Sequence, residues 1–221
     1  MLSIVATPIG NLKDITVRAL EVLEKADLIL VEDTRTAGNF LKSLKIPKKS
    51  ILSFYEHNED ERIPQIIAQL KEGREIVLLS GAGTPLISDP GFRLARACVK
   101  EGLRFTSLPG PSAALNALVL AGFPSDSFLF LGFLPKRKSK RDKKLENVKG
   151  LASTLILFES PYRLVKTLKD LKQALGDKPC AICREMTKVY EEVIRGSLSR
   201  VIEALSDRKI KGECTIVVEA K

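Results

Sequence analysis

The 221-residue chain has one histidine, His57. A single imidazole cannot build a histidine cluster for a metal, and it gives a hydrolytic triad only one possible base. That residue lies in the polar stretch EHNEDER and reads as a surface side chain, not a base. Cysteine is scarce as well: Cys98, Cys180, Cys183 and Cys214. Cys180 and Cys183 have the spacing of half a zinc ribbon, but no second pair completes it. In an extended strand, residues three apart point to opposite faces, so four packed thiols are expected, with no metal and no disulfide. No apolar run reaches the ~18 residues of a membrane span. The N-terminus, MLSIVATPIG, lacks the basic opening of a signal peptide, and a cytoplasmic protein with no membrane partner is expected. Two phosphate-binding signatures are missing: G-x-x-x-x-G-K-[ST] anywhere, and G-x-G-x-x-G after the first strand. A P-loop hydrolase and an ordinary dinucleotide site are therefore not indicated.

What is present begins with residues 75–91, EIVLLSGAGTPLISDPG. An apolar run ends in small turn residues, five Gly or Pro in all, and a helical pattern resumes at Phe92. A plain strand-to-helix connection takes about 2–6 residues, so this segment is expected to be a binding loop. Ligands of open α/β sheets sit beyond the carboxyl ends of the strands, where glycine lets the backbone approach closely. Hydrophobic residues make up 44% of the chain and charged residues 29%, as in an ordinary globular protein of one large or two small domains.

Strand-like and helix-like patterns alternate over the first half. Strands are expected at 3–7, 28–32, 51–54, 75–80 and 104–108. Apolar faces at Ile15, Ala19, Val22, Leu23 and Ala26, and at Ile63, Ile66, Ile67 and Leu70, mark helices between them. Asp14 or Thr16 can cap the first helix. Such alternation predicts βαβ units and a mostly parallel sheet. After Pro109-Gly110-Pro111, Ser112 stands at the N-cap position of a small-residue helix, whose first N–H groups suit a ligand. Beyond it, strands are expected at 128–131, 154–158, 179–184, 189–195 and 214–219, with two clear helices near 163–175 and 198–205. The pattern predicts an α/β domain over 1–110 and a mixed α/β domain over 111–221.

The net charge is +9, and residues 136–144, KRKSKRDKK, hold seven basic residues and one acid. That leaves only +3 for the rest of the chain. Such concentration suggests a phosphate-rich partner met by Lys136, Arg137, Lys138, Lys140 and Arg141; the plain alternative is a solvated loop. Opposite charges also follow strands directly: Glu32, Asp33 and Arg35; Glu159 and Arg163; Arg184 and Glu185. Each set alone suits a structural ion pair. Three converging on one sheet edge would line a cleft.

The series TPIGNLKDIT, EDTR, SGAGTPLISDPG, PGPSA, GFLP, ESPYR, REMTK and KGE, in that order, resembles the ribosomal RNA small subunit methyltransferase I family. That family belongs to the tetrapyrrole methylase-like class. The resemblance runs from Val5 to Glu213. It implies a two-domain α/β fold, a mostly parallel first sheet and a mixed second one, with S-adenosylmethionine in the cleft between them and a homodimeric assembly. It also implies 2′-O-methylation of a cytidine in small-subunit ribosomal RNA, free or in the 30S particle. Matched motif by motif, the cofactor contacts would be Pro8, Ile9, Gly83, Thr84, Pro85, Ile87, Ser112 and Ala113. From the second domain they would be Phe158, Glu159, Cys183, Arg184, Gly212 and Glu213. Glu159 and Asp33 are the expected general-base candidates, with Arg35 and Arg163 positioning ribose or phosphate.

Two positions depart from the family pattern. Gly81 stands where SDAGTP has its acid, which puts a role for that acid in doubt. Tyr162 stands where ESPHR has histidine, so the position stacks or hydrogen-bonds without titrating. The chain ends at KGECTIVVEAK, where some members carry a further C-terminal segment, and more of the RNA binding is accordingly expected to fall on 136–144. Two other readings stay open: a tetrapyrrole C-methyltransferase, and a non-catalytic RNA-binding relative whose cofactor cleft has degenerated at Gly81.

Overall fold

The computed structural model describes residues 1–219, which divide into two compact units, Met1–Ser112 and the chain from Ala113 onward. The first unit alternates strand and helix: β1 (Leu2–Val5), α1 (Val17–Lys25), β2 (Leu28–Val31), α2 (Thr34–Ser43), β3 (Ser50–Ser53), α3 (Glu59–Lys71), β4 (Ile76–Leu79), α4 (Phe92–Lys100) and β5 (Phe105–Leu108). All five strands are parallel, in the order β3-β2-β4-β1-β5. β1, β2 and β4 are apolar almost throughout because helices cover both faces of the sheet. Alternate residues divide between two cores. Leu2, Ile4, Leu30, Ile76 and Leu78 pack with Ile66, Ile67, Leu94 and Cys98 of α3 and α4. Val5, Ile29, Val31, Val77 and Leu79 pack with Ala19, Leu23 and Leu41 of α1 and α2. Of the two expected caps for α1, Thr16 does the work: its side chain accepts from the Ala19 N–H at 3.1 Å.

The second unit holds α5 (Ala113–Ala121), β6 (Phe128–Phe133), α6 (Lys138–Glu146), β7 (Thr154–Glu159), α7 (Leu164–Leu175), β8 (Pro179–Arg184), β9 (Glu192–Ser197), α8 (Leu198–Ser206) and β10 (Cys214–Val218). Its sheet order is β6-β7-β10-β8-β9. β6 and β7 are parallel, and the remaining pairs are antiparallel. One face carries Leu155, Leu157, Ile182, Ile216 and Val218, packed with Leu145, Leu164, Leu168, Leu171, Val201 and Leu205 of α6, α7 and α8. α5 packs on β7, β8 and β10, and the Cys183 thiol lies 3.7 Å from the Ala117 carbonyl of that helix.

Two expectations need correction here. The plain alternative for residues 136–144 was a solvated loop, yet most of them form α6. The helix is held by Arg141 and Leu145, four residues apart and both buried. The strand expected at 189–195 is also displaced: β9 starts at Glu192, after a turn in which Glu185 and Thr187 adopt positive φ.

Candidate functional site

Parallel strands bring their carboxyl ends to one edge of the first sheet, and β4, β1 and β5 are neighbours there. The loops beyond them are tied together by the main chain and by hydroxyls. Thr7 N–H donates to the Gly83 carbonyl at 2.8 Å, and Gly83 N–H donates to the Thr7 carbonyl at 2.9 Å. Ser80 Oγ donates to the same Gly83 carbonyl at 2.7 Å, and Thr84 Oγ1 to the Pro111 carbonyl at 3.0 Å. This network joins the segments carrying Pro8 and Ile9, Gly83, Thr84 and Pro85, and Pro111 with Ser112. Gly83 spends both backbone polar groups on Thr7, and a Cβ on it would sit 3.4 Å from Ile9 Cγ2. It fastens the loop. Ala113 opens α5 in the second unit.

Farther along the loop the backbone is strained. Leu86 and Ser88 have φ of 70° and 64°, flanking the exposed Ile87. Residues held in this region cost about 1–3 kcal/mol each and cluster at functional sites. Gly91 has φ of 120°, and a Cβ there would lie 2.5 Å from Leu78 Cδ2. Its N–H donates to Oε1 of the buried Glu59, which anchors the end of the loop.

At the end of β2, next to β4, Asp33 caps α2: Oδ1 accepts from Arg35 N–H at 2.8 Å and Thr36 N–H at 3.0 Å. The Thr36 bonds chiefly, with help from Arg35, hold its carboxyl below the usual carboxylate range. Arg35 is exposed. Asp89 behaves in the opposite way. Burial first, and the charge of Glu32 second, raise it from the usual 3.8 to about 6. The sequence reading counted Asp89 only as a turn residue. Its signal was the placement of SDPG in the loop beyond β4, beside β2, after which Glu32 follows, and only the strand order reveals that.

In the second sheet, register places Cys214 opposite Glu159 on one side and Arg184 on the other. Thr215 likewise faces Phe158 and Cys183, so those two expected cofactor residues share the opposite face. Glu159 is 3% exposed. Its Oε1 accepts from Ser160 N–H at 2.8 Å, and its Oε2 accepts from Thr167 Oγ1 at 2.6 Å. The same Oε2 lies 3.4 Å from Arg163 Nη2, which also donates to the Leu134 carbonyl. Both oxygens are therefore engaged within the protein, and Glu159 orders the β7–α7 turn. Arg184 pairs with Glu192 at 3.1 Å, not with its neighbour Glu185. Glu185 instead takes Lys188 and the Glu213 N–H, each at 2.9 Å, and leaves no room for a side chain on Gly212. The three charged sets do not converge on one sheet edge as expected: Glu32, Asp33 and Arg35 belong to the first sheet, the others to the second.

Lys136, Arg137, Lys138 and Lys140 are exposed. Arg141 is not, and its expected phosphate contact is corrected. It is 2% exposed, with Nε donating to Asp170 at 2.7 Å and Nη1 to the Pro135 and Lys136 carbonyls. A charge already paired inside the fold cannot reach a phosphate. All four cysteines are free and buried, and burial pushes the Cys180 thiol up to about 12 and those of Cys183 and Cys214 to about 11. His57 is exposed, as expected. Gly81 is exposed with nothing within 4 Å of a Cβ, so no steric reason excludes an acid such as the SDAGTP pattern places there.

With this geometry in place, the chain belongs to the tetrapyrrole (corrin/porphyrin) methylase family, whose model matches residues 1–202, and within it to the ribosomal RNA small subunit methyltransferase I family. It is 46% identical to the ribosomal RNA small subunit methyltransferase I of Thermotoga maritima over 100% of this chain and 98% of that one. To the enzyme of Halalkalibacterium halodurans it is 45% identical, over 99% of this chain and 75% of that one. The Escherichia coli O157:H7 enzyme is 42% identical over 99% and 77%. The fold is shared with more distant solved structures. Diphthine synthase superposes with a TM-score of 0.75 at 17% identity, covering 100% of this chain and 90% of that one. Uroporphyrin-III C-methyltransferase of Thermus thermophilus superposes at 0.68 and 21%, covering 99% and 94%. The chain is a methyltransferase, built as a parallel sheet and a mixed sheet as the resemblance implied.

Proposed function

We propose that this methyltransferase uses S-adenosylmethionine to methylate the ribose 2′-oxygen of a cytidine in small-subunit ribosomal RNA. The observation that carries this reading is 41–46% identity, along essentially the whole chain, to proteins named for small-subunit ribosomal RNA methylation. The strapped loops of the first unit suit the cofactor: Gly83 sits at φ of 80°, where any side chain would be strained, so the site is shaped by backbone. In this reading Pro8, Ile9, Gly83, Thr84, Pro85, Ile87, Ser112 and Ala113 hold it. The family resemblance adds Phe158, Glu159, Cys183, Arg184, Gly212 and Glu213.

The cofactor would supply a methyl group on a positively charged sulfur, already activated for displacement. The protein's task is then mainly alignment, which can supply about 7–11 kcal/mol. The proton of the 2′-hydroxyl needs an acceptor. Asp33 and Glu159 remain the candidates matched by motif, and Arg35 and Arg163 the positioning groups. Asp89 joins them because an acid raised to about 6 matches neutral operating conditions better than a capping aspartate. Lys136, Arg137, Lys138 and Lys140 would contact phosphates without reading sequence. A cytoplasmic homodimer belongs to the same proposal, and sedimentation of the pure protein tests the dimer.

Calorimetric titration with S-adenosylmethionine comes first, followed by tritiated methyl transfer to unmodified 30S particles, with uroporphyrinogen as the competing acceptor. Cofactor binding with label in ribosomal RNA is expected. Label in the tetrapyrrole, or no cofactor binding at millimolar concentration, overturns the proposal.

A further inference from the structure

The second sheet has an edge whose exposed aromatic side chains the methyl-transfer reading leaves unused. β6 is parallel to β7, and β10 is antiparallel to both β7 and β8, so β6, β7 and β8 all point the same way. Their carboxyl ends therefore lie along one edge, together with the start of β10. Three aromatic side chains belong to that edge. Phe133 ends β6, Tyr162 lies in the turn after β7, and Tyr190 lies in the turn after β8. They are 55%, 95% and 74% exposed. Phe133 is braced edge-on by Phe158 at 5.7 Å. Neither tyrosine makes a hydrogen bond or ring contact among the described residues, so neither is explained by the stability of the fold.

The charge of the edge is sorted. Glu159, Glu185, Glu192 and Glu213 are each paired with a cation: Glu159 with Arg163, Glu192 with Arg184 and Arg208, and Glu185 and Glu213 with a shared Lys188. Glu191 instead accepts the Thr187 N–H. The exposed Lys136 and Arg137 after β6, and Lys209 and Lys211 before β10, form no ion pair among the described residues. Exposed rings interleaved with unpaired cations fit a single-stranded nucleic acid, whose bases stack on aromatics while its phosphates meet lysine and arginine. A second copy of the chain fits less well. A two-fold contact through this edge would bring like-charged lysines together.

We propose that this edge is a stacking platform for single-stranded RNA, with Tyr162 and Tyr190 taking bases and Lys136, Arg137, Lys209 and Lys211 taking phosphates. The proposal rests on the ribosomal RNA reading above and names how that RNA is held next to the target nucleotide. Fluorescence anisotropy of the full chain with a short labelled single-stranded RNA of mixed sequence, and with a hairpin duplex of equal length, tests it. Tyr162→Ala and Tyr190→Ala should each weaken single-strand binding about tenfold or more, leaving duplex binding and the salt slope unchanged. Tyr→Phe variants should bind like the parent. Replacing the four cations with glutamine should instead flatten the salt dependence. Unchanged single-strand affinity in the double alanine variant overturns the platform. So does a shift from dimer to monomer with RNA affinity intact, which would assign the edge to a second copy. Methyl transfer to 30S particles is measured in parallel. Transfer by the parent with indifferent tyrosine variants defeats the platform alone, whereas a parent that neither binds RNA nor transfers methyl defeats the parent reading with it.

Discussion

In the first sheet, the loops beyond β1, β4 and β5 are held by main-chain and hydroxyl bonds: Thr7 with Gly83, Ser80 with Gly83, Thr84 with Pro111. In the second, the ends of β7, β8 and β10 are held by carboxylates and cations: Glu159 with Arg163, Arg184 with Glu192, Glu185 with Lys188. The materials differ, and so should the vulnerabilities. A backbone-tied loop fails when a side chain is added where none fits, whereas a charge-tied turn fails when one partner is removed and the other is left buried.

The largest expected effect lies in the second unit. Arg141→Ala leaves Asp170 without its cation at a site 2% exposed on the arginine side. It should lower unfolding stability in urea by about 3 kcal/mol, the lower end of the cost of breaking a largely buried ion pair, because the stranded Asp170 keeps some access to water. Next comes the first unit: Gly91→Ala should cost about 2–4 kcal/mol, because the methyl meets Leu78 and the backbone is strained for any residue with a Cβ. Gly81→Asp in the same loop is the contrast, with a change within about 0.5 kcal/mol, because the site is open. If Gly91→Ala is as mild as Gly81→Asp, the backbone account of this loop is wrong.

A smaller effect concerns Asp89, the one acid in the first unit's loop that burial disfavours. Its pKa is raised on folding, so ionisation destabilises the native state. The penalty is absent below the unfolded value of 3.8, grows as pH rises, and is complete above about 6. Asp89→Asn should therefore raise the melting temperature at pH 7 and leave it unchanged near pH 3.5. The gain is about 1 kcal/mol, discounted because the group is only half-buried. Equal gains at both pH values would refute the titration. The smallest effect spans both units: an aromatic disulfide reagent should label none of the four thiols in the native protein on a timescale where urea-unfolded chain reacts fully. Rapid native labelling of one thiol would expose a local opening.

Much of the fold was legible because parallel-sheet strands with both faces covered are nearly pure apolar runs, as ILLV-type segments at 28–31 and 76–79 are. β8 was placed to the residue because Pro179 and Arg184 bracket an apolar core. α6 was not legible as a packed helix, since Lys138–Glu146 is mostly polar and its anchors are a leucine and an arginine. Helical packing is normally read from apolar spacing, and a buried arginine is invisible to that test until its partner Asp170, 29 residues on, is located. The charged sets following strands were seen, but their partners were assigned by proximity in sequence. Glu159 and Arg163 do pair, but register overruled the assignment for Arg184, giving it to Glu192.

Residue order alone carried the alternation of strand and helix, the turn-rich segment at 80–91, the burial of the thiols and the motif series that points to ribosomal RNA methylation. These are local or linear properties: period, turn chemistry and the order of short motifs. Strand order and register decided the rest, because they set which distant groups meet. They put Asp89, in the loop beyond β4, next to Glu32, just past the neighbouring strand β2, fastened Gly83 to Thr7, and aligned Phe133, Tyr162 and Tyr190 along one edge. They also withdrew Arg141 from the basic surface, where its sequence neighbours had placed it.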